Sequence, residues 1–308
     1  MVSEKVDIIE QFHGKDQPQI DVLDAGHVAL IDCMPRLVEK GKTADDAVVQ
    51  AARVSYGAGT KKVNEDRGLI RYLMRHSHTT PFEMIEFKFR LKMPMFVARQ
   101  HIRHRTANVN EASLRYSKST DEYWMPDSNE NKSVYYYRTQ SKTNRQGSSE
   151  DVVEHFPAKF QIDDGNGGQL LLSAEEAAFF QYHDLLNLNV AREQARTCLP
   201  VSTYTEMYWK IDLHNLLHYL SLRADSHAQK EIQEYAIAML ELIKPIVPVT
   251  IEAWDDYHPM RGAIKLTRLE KEALARITGK YVPPLETDNK REQKEWEEKA
   301  LMLGLRVE

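Results

Sequence analysis

Arginine and histidine crowd one short stretch of this chain: residues 99–117 read RQHIRHRTANVNEASLRYS, with four arginines and two histidines. A guanidinium group holds phosphate or carboxylate oxygens through parallel charge-assisted hydrogen bonds. In a chain of formal net charge −5 such a cluster must meet something negative. Arg103, Arg105, the polar loop after them and the hydroxyl of Ser113 suit a small phosphate-bearing ligand such as a nucleotide. Two rival chemistries are weaker. A nucleic-acid groove would sit oddly in an acidic chain without a recognisable binding module and with Glu111 inside the cluster. A zinc site is suggested by HNLLH, where His214 and His218 lie one helical turn apart. There Asn215 occupies the place of the glutamate that acts as base in HExxH enzymes. The pairs His76/His78 and His101/His104 carry still less, because histidines at such spacings often cap or hydrogen-bond. The plain alternative is a solvated helix face.

Several elements must position these groups. HVALIDCM (His27–Met34) reads as a strand, and Thr43 opens TADDAVVQAARVSY as an N-cap with acidic residues behind it. Residues 66–76 continue as a helix that ends in HSHTTP. From Glu83 to Met93 the chain alternates, with Ile85, Phe87, Phe89, Leu91 and Met93 inward, the mark of a half-buried antiparallel strand. Pro94 suits the start of a helix through MFVARQHIRHR, with Met95, Ala98 and Ile102 facing the core and Gln100, Arg103 and His104 together on the opposite face. The RHR triplet then closes that helix, and TANVNEAS is a polar loop.

Residues 118–168 differ in kind, being rich in Asn, Ser, Asp and Gly, and read as a partly mobile insertion. Helices follow: one capped by Ser173 with Glu175 and Glu176, one in VAREQARTCLP ending at Pro200, and one capped by Asp212 after the extended piece TEMYWKI. A capping box of Ser226 and Gln229 is expected to open the next. Arg223 falls at the junction of those last two helices, where a side chain can face a ligand. The tail carries two amphipathic helices, TRLEKEALARI closed by Gly279 and KREQKEWEEKALML.

Composition bounds the rest. With 308 residues, 42% hydrophobic and 28% charged, the chain has the make-up of a soluble globular protein. Its first residues lack the apolar run of a secretory signal, and no segment approaches the roughly 20 apolar residues that span a bilayer. The expected location is the cytoplasm, with no membrane and no nucleic-acid partner. Cys33 and Cys198 are the only cysteines and offer neither a disulfide framework nor a metal motif.

The run RHRTANVNEAS, Arg-His-Arg followed by seven residues and then Ser, resembles the signature of the flavin-dependent thymidylate synthases. The resemblance extends through AARVSYGAG, HSHTTPFE and FVARQ, continues in NEASLRYS, and returns in ARTCLP and LRADSHAQKEIQ, covering roughly residues 20–258. It implies an α+β fold, a mixed or largely antiparallel sheet flanked by helices in a single main domain. The corresponding boundaries are an N-terminal extension at 1–19, the synthase domain at 20–260 with its polar insertion at 119–168, and a helical C-terminal extension at 261–308. It also implies a homotetramer with active sites at subunit interfaces. The reaction implied is reductive methylation of dUMP to dTMP, with 5,10-methylenetetrahydrofolate as carbon donor and FAD, reduced by NADPH, as hydride source.

Carried over position by position, the resemblance assigns flavin contacts to Thr80, His78, Arg103, His104, Arg105 and Glu111, and dUMP contacts to Gln100, Arg103, Glu111, Ala112, Ser113, Leu114, Arg115 and Arg196. Arg223 is the catalytic residue, since a permanent cation can stabilise negative charge on the uracil N3/O4 edge and make C5 nucleophilic. Asp212, His214 and His218 occupy a flavin-contacting segment where several family members have an Asn-Ala-Arg triplet and a later Asn. Asp212 there can serve chiefly as an N-cap. Leu114 stands where a Gly is common. Ser113 or Cys198 as a nucleophile, and a non-catalytic phosphate- or RNA-binding module on the same fold, remain as alternatives at this point.

Overall fold

A computed structural model describes residues 4–54, 64–142, 147–163, 168–258, 266–274, 281–285 and 290–307. The chain divides into two compact units, residues 1–253 and 254–308. The first begins with β1 (Lys5–Asp7), α1 (Ile8–His13), β2 (Gln19–Val22), β3 (Gly26–Met34) and β4 (Leu37–Glu39). Next come α2 (Asp45–Arg53), α3 (Asn64–Arg75), a 3-10 turn at Phe82–Met84, β5 (Glu86–Pro94), α4 (Met95–His101) and β6 (Asn108–Glu111). The polar insertion carries β7 (Tyr135–Gln140), β8 (Ser148–His155) and β9 (Phe160–Asp163), and β10 (Gln169–Leu172) follows directly after it. Helices α5 (Ala174–Asn187) and α6 (Arg192–Ala195) lead through a second 3-10 turn, Arg196–Cys198, to β11 (Tyr204–Asp212), α7 (Leu213–Arg223), α8 (Lys230–Ile243) and α9 (Pro248–Tyr257).

The fold is α+β, and its central sheet has the order β2-β3-β5-β11-β6 with every pairing antiparallel. The alternation expected for residues 85–93 is present: Ile85, Phe87, Phe89, Leu91 and Met93 are all fully buried. Register places Phe87 opposite Ile211, Phe89 opposite Trp209 and Leu91 opposite Met207, so two strands contribute one continuous apolar face. Helices α7 and α8 cover it with Leu213, Leu216, Leu220, Ile232, Tyr235 and Met239. Each such side chain contributes about 1.5–3 kcal/mol on burial. Gly26 marks the tightest approach: a Cβ there would lie 2.0 Å from the Tyr235 hydroxyl, which donates to the Lys92 carbonyl at 2.7 Å.

Several expected boundaries move, each for a tertiary reason. Ala44, not Thr43, is the N-cap of α2, without a side-chain cap bond. Asp45 is buried and accepts from the amides of Val249 and Thr250 and from the Thr250 hydroxyl, so it caps α9 rather than serving its own helix. The tail of the helix expected from Thr43, Ser55 and Tyr56, lies outside the described residues. Helix α4 ends at His101, and the RHR triplet lies beyond it. Its buried side is Val97, Ala98 and His101, while Ile102 is exposed. TANVNEAS is not wholly a loop: Asn108–Glu111 forms edge strand β6, with Glu111 opposite Met207. Pairing with β11 there overrides a local sequence of low strand propensity.

TEMYWKI belongs to a nine-residue central strand. Ser226 does not cap α8: Gln229 holds that position without a side-chain cap bond, and Asp225 organises the preceding turn by accepting from the His227 amide. Ser173 and Glu176 do form a full capping box on α5. In the insertion and directly after it the described residues form two antiparallel hairpins, β7–β8 and β9–β10.

The second unit holds α10 (Arg268–Leu274), β12 (Tyr281–Val282), α11 (Lys290–Met302) and β13 (Arg306–Val307). Trp296, Ala300, Val282, Leu285 and Ala273 form its core. The end of the first tail helix and its closing Gly279 lie outside the described residues. No described helix is long and apolar enough to cross a membrane.

Candidate active site

Two helix ends create the first half of the site. Where α4 stops at His101, the amides of Arg103 and His104 turn back onto the carbonyls of Gln100 and His101 at 3.2 Å each. That turn aims His104 at the C-terminal end of α7, where Arg223 Nε donates to His104 Nε2 at 3.1 Å. The two residues are 119 positions apart in sequence. The contact is backed by aromatic packing: the ring centroid of His104 lies 4.8 Å from that of Tyr219 and 6.3 Å from that of His218. His101 fills the space beneath, fully buried, 4.3 Å from Trp209 and 5.1 Å from Tyr219. Its Nδ1 and the Tyr219 hydroxyl are 3.1 Å apart.

These environments hold both histidines neutral. Burial, then the neighbouring Arg223 and His218, lower the pKa of His104 to about 4. Burial, then His104 and Arg223, lower that of His101 to about 3. A neutral His104 can accept from Arg223. The bond uses only Nε of the guanidinium, so its Nη donors remain available to a ligand.

The second half hangs from the sheet edge. Pairing of β6 with β11 carries Glu111 beside Thr205, whose hydroxyl donates to its carboxylate at 2.7 Å. Ala112 N–H is bonded to the Glu206 carbonyl. The chain then folds into a turn: Tyr116 and Ser117 amides bond the Ser113 carbonyl, and Ser113 Oγ accepts from Arg115 N–H at 3.3 Å. Arg115 N–H is thus engaged internally, which leaves the Leu114 amide as the backbone donor of this pair. Arg115 pairs with Glu193 at 3.2 Å, and Arg192 donates to the Tyr116 carbonyl. Both ties anchor the turn to α6, the element that runs directly into Arg196.

A third segment, HSHTTP, leads through the 3-10 turn Phe82–Met84 to Ile85, whose carbonyl accepts from Leu213 N–H at the start of α7 at 2.8 Å. Thr80 and His78 are exposed there. Neither hydrogen-bonds to the 103–105 segment among the described residues. Asp212 caps α7 by accepting from the amide and the side chain of Asn215, so both of its oxygens are committed to the helix. His214 and His218 share one side of α7, half-buried and exposed respectively.

No group of three or more His, Cys, Asp or Glu suited to a metal ion exists among the described residues. Ser113 Oγ has no base in hydrogen-bond contact among them, and its one bond is to an amide. The thiol of Cys198 donates to the Ala195 and Ala178 carbonyls, and burial raises its pKa. Cys33 is pushed up to about 12 by burial. Neither cysteine is a ready nucleophile. Sequence reasoning did not find Tyr219, Thr205, His101 or Gln229 as supports of the site. Only the packing of α4 against α7, α8 and β11 reveals them.

The antiparallel sheet flanked by helices, with its Arg-His-Arg turn against a distant arginine, is the α+β fold of a known enzyme class. The family described as "Thymidylate synthase complementing protein" matches residues 36–249. The "Flavin-dependent thymidylate synthase" of Dictyostelium discoideum is 52% identical over 302 residues, covering 98% of this chain and 93% of that one. The protein of the same name from Gluconobacter oxydans is 45% identical over 287 residues, covering 92% and 86%. Among solved structures, the UMP/dUMP methylase PolB from Streptomyces cacaoi bound with 5-Br dUMP superposes with a TM-score of 0.58 at 31% identity, covering 77% of this chain and 98% of that one. This chain belongs to the flavin-dependent thymidylate synthase family.

Proposed function

We propose that this enzyme converts dUMP to dTMP by reductive methylation, with FAD bound and with NADPH and 5,10-methylenetetrahydrofolate as co-substrates. The observation that carries this reading is the Arg223–His104 bond, which unites the two segments that most resemble the family. The donor set suits a dinucleotide flavin. Arg103 and Arg105 are exposed, and no carboxylate lies within ion-pair distance of either among the described residues. They are therefore free to meet a pyrophosphate. Thr80, His78, Glu111, His214 and His218 would complete the flavin contacts, and Asp212 supports them through the α7 cap. Bound and reduced, FAD supplies the hydride that completes a methyl group whose carbon comes from the folate.

The chain's own residues do the rest. Ser113, the Leu114 amide, Arg115 and Arg196 take the dUMP phosphate; Gln100, Arg103, Glu111 and Ala112 border the nucleoside. Arg223, held by neutral His104, turns its Nη donors to the uracil N3/O4 edge and stabilises the negative charge there in the polarised ring whose C5 is nucleophilic. No enzyme nucleophile is required, in keeping with the inert state of both cysteines and of Ser113. Arg103, Arg105, Glu111 and Arg115 are exposed in the single chain, which supports a homotetramer in which a neighbouring subunit closes the site. The free thiols of Cys33 and Cys198 fit a reducing cytoplasm.

The test is dTMP formation from dUMP, methylenetetrahydrofolate and NADPH under low oxygen, with and without added FAD. Flavin-dependent product is expected. A folded protein that binds FAD and dUMP yet makes no dTMP would refute the reading, and a colourless protein with affinity for RNA would favour the non-catalytic module.

A further inference from the structure

The amide of Gln100 is held from behind. Its Nε2 donates to Oε1 of Gln229, and Nε2 of Gln229 in turn donates to Glu231 Oε2 at 2.7 Å. The direction of this relay is set at its far end. A carboxylate only accepts, so Gln229 must turn its NH2 toward Glu231 and its oxygen toward Gln100, and Gln100 must answer with its own NH2. The oxygen of Gln100 therefore points out of the relay, and no described residue donates to it.

The placement of the two supports agrees. Gln229 sits at the N-cap of α8 without bonding the helix end, a position where glutamine is a poor cap and where its side chain is committed to α4 instead. Glu231 lies in the first turn of the same 14-residue helix, where the helix dipole favours a negative charge. Gln100 itself lies in the last turn of α4, and its carbonyl accepts from the Arg103 amide in the turn that leads to His104.

We propose that Gln229 and Glu231 are positioning residues that lock the Gln100 amide with its oxygen presented to a hydrogen-bond donor of the bound nucleotide. The proposal rests on the reading of Gln100 as a dUMP contact. Outside its phosphate, dUMP has two donors, the ring N3–H and the sugar 3′-hydroxyl. A locked acceptor selects for whichever of them it meets and repels a lone pair in the same place, because a buried polar group left unpaired is penalised.

The experiment titrates FAD-loaded, full-length protein with dUMP, N3-methyl-dUMP and 2′,3′-dideoxyuridine monophosphate. The wild type is expected to bind one analogue at least about 5-fold more weakly than dUMP, which identifies the donor. In Glu231→Gln the end of the relay can donate as well as accept. That preference then falls toward unity and the Kd for dUMP rises about 5-fold, with flavin content and melting temperature unchanged. Glu231→Asp, which can still only accept, keeps the preference. An unchanged Kd and preference in Glu231→Gln, alongside weakened binding in Gln100→Ala, would overturn the relay alone. Wild-type dUMP affinity in Gln100→Ala would overturn the nucleotide contact and the relay with it. Loss of turnover in Arg223→Ala reports separately on the reaction.

Discussion

The two halves of the site are built in opposite ways. The His104–Arg223 half joins two helix ends over a packed floor of His101, Trp209 and Tyr219, so the chain by itself fixes its geometry. The Glu111–Arg115 half is an edge strand and a surface turn, held by backbone bonds and an ion pair between half-exposed side chains. It offers donors but little enclosure. Chemistry that needs a charge aimed within fractions of an ångström belongs on the first kind of scaffold, whereas grip on a mobile phosphate tolerates the second. Mutation of the first half should therefore move turnover or stability, and mutation of the second should move affinity.

The largest effect is expected at Arg223. Arg223→Ala should lower kcat by about 10³-fold while flavin absorbance of the purified protein persists. Turnover near wild type would remove Arg223 from its role and erase the contrast between the halves.

The buried floor gives the next largest. His101 and His104 have folded pKa values of about 3 and about 4, below the ordinary histidine value of 6.5. The unfolded chain thus binds more protons than the native one as pH falls below 6.5. Each histidine's contribution is complete above pH 6.5 and declines by about 1.4 kcal/mol per pH unit toward its folded pKa. Denaturant titrations at pH 7, 6 and 5 measure this slope. A flat profile would mean that these rings are not held neutral by burial.

Ser113→Ala tests the other half. Loss of one hydrogen bond to a charged phosphate corresponds to about 1.5–3 kcal/mol, read as a rise of about 10-fold or more in KM for dUMP, with kcat and melting temperature near wild type. A kcat collapse with unchanged KM would instead revive the serine as a chemical participant. The smallest effect is expected for Glu193→Gln, which breaks the Arg115–Glu193 pair. Both side chains are more than half exposed, so stability should change by less than about 1 kcal/mol. A larger loss would show the turn to be as rigid as the helical half.

Much of this is legible in the sequence. The alternation at residues 85–93, the caps at Ser173 and Asp212, and the RHR-to-Ser spacing are local patterns whose period or hydrogen bonding is decided within a few residues. Element ends are less so. The helical spacing runs on through RHR, yet α4 stops at His101 because the chain must turn to pair β6 with β11, a strand nearly a hundred residues later. Asp45 has the sequence position of a first-turn acid of α2 and instead caps α9, since a buried carboxylate goes to the donors that enclose it.

The sequence by itself determined which side chains could do chemistry here: guanidiniums that stay charged, a hydroxyl, and apolar periods that demand a sheet with covering helices. Side-chain type and short-range spacing carry that information. Tertiary structure alone decided that His104 meets Arg223, that burial keeps both site histidines neutral, and that the Gln100 amide has a direction. Each of those depends on groups more than a hundred residues apart, and on the water that their packing excludes.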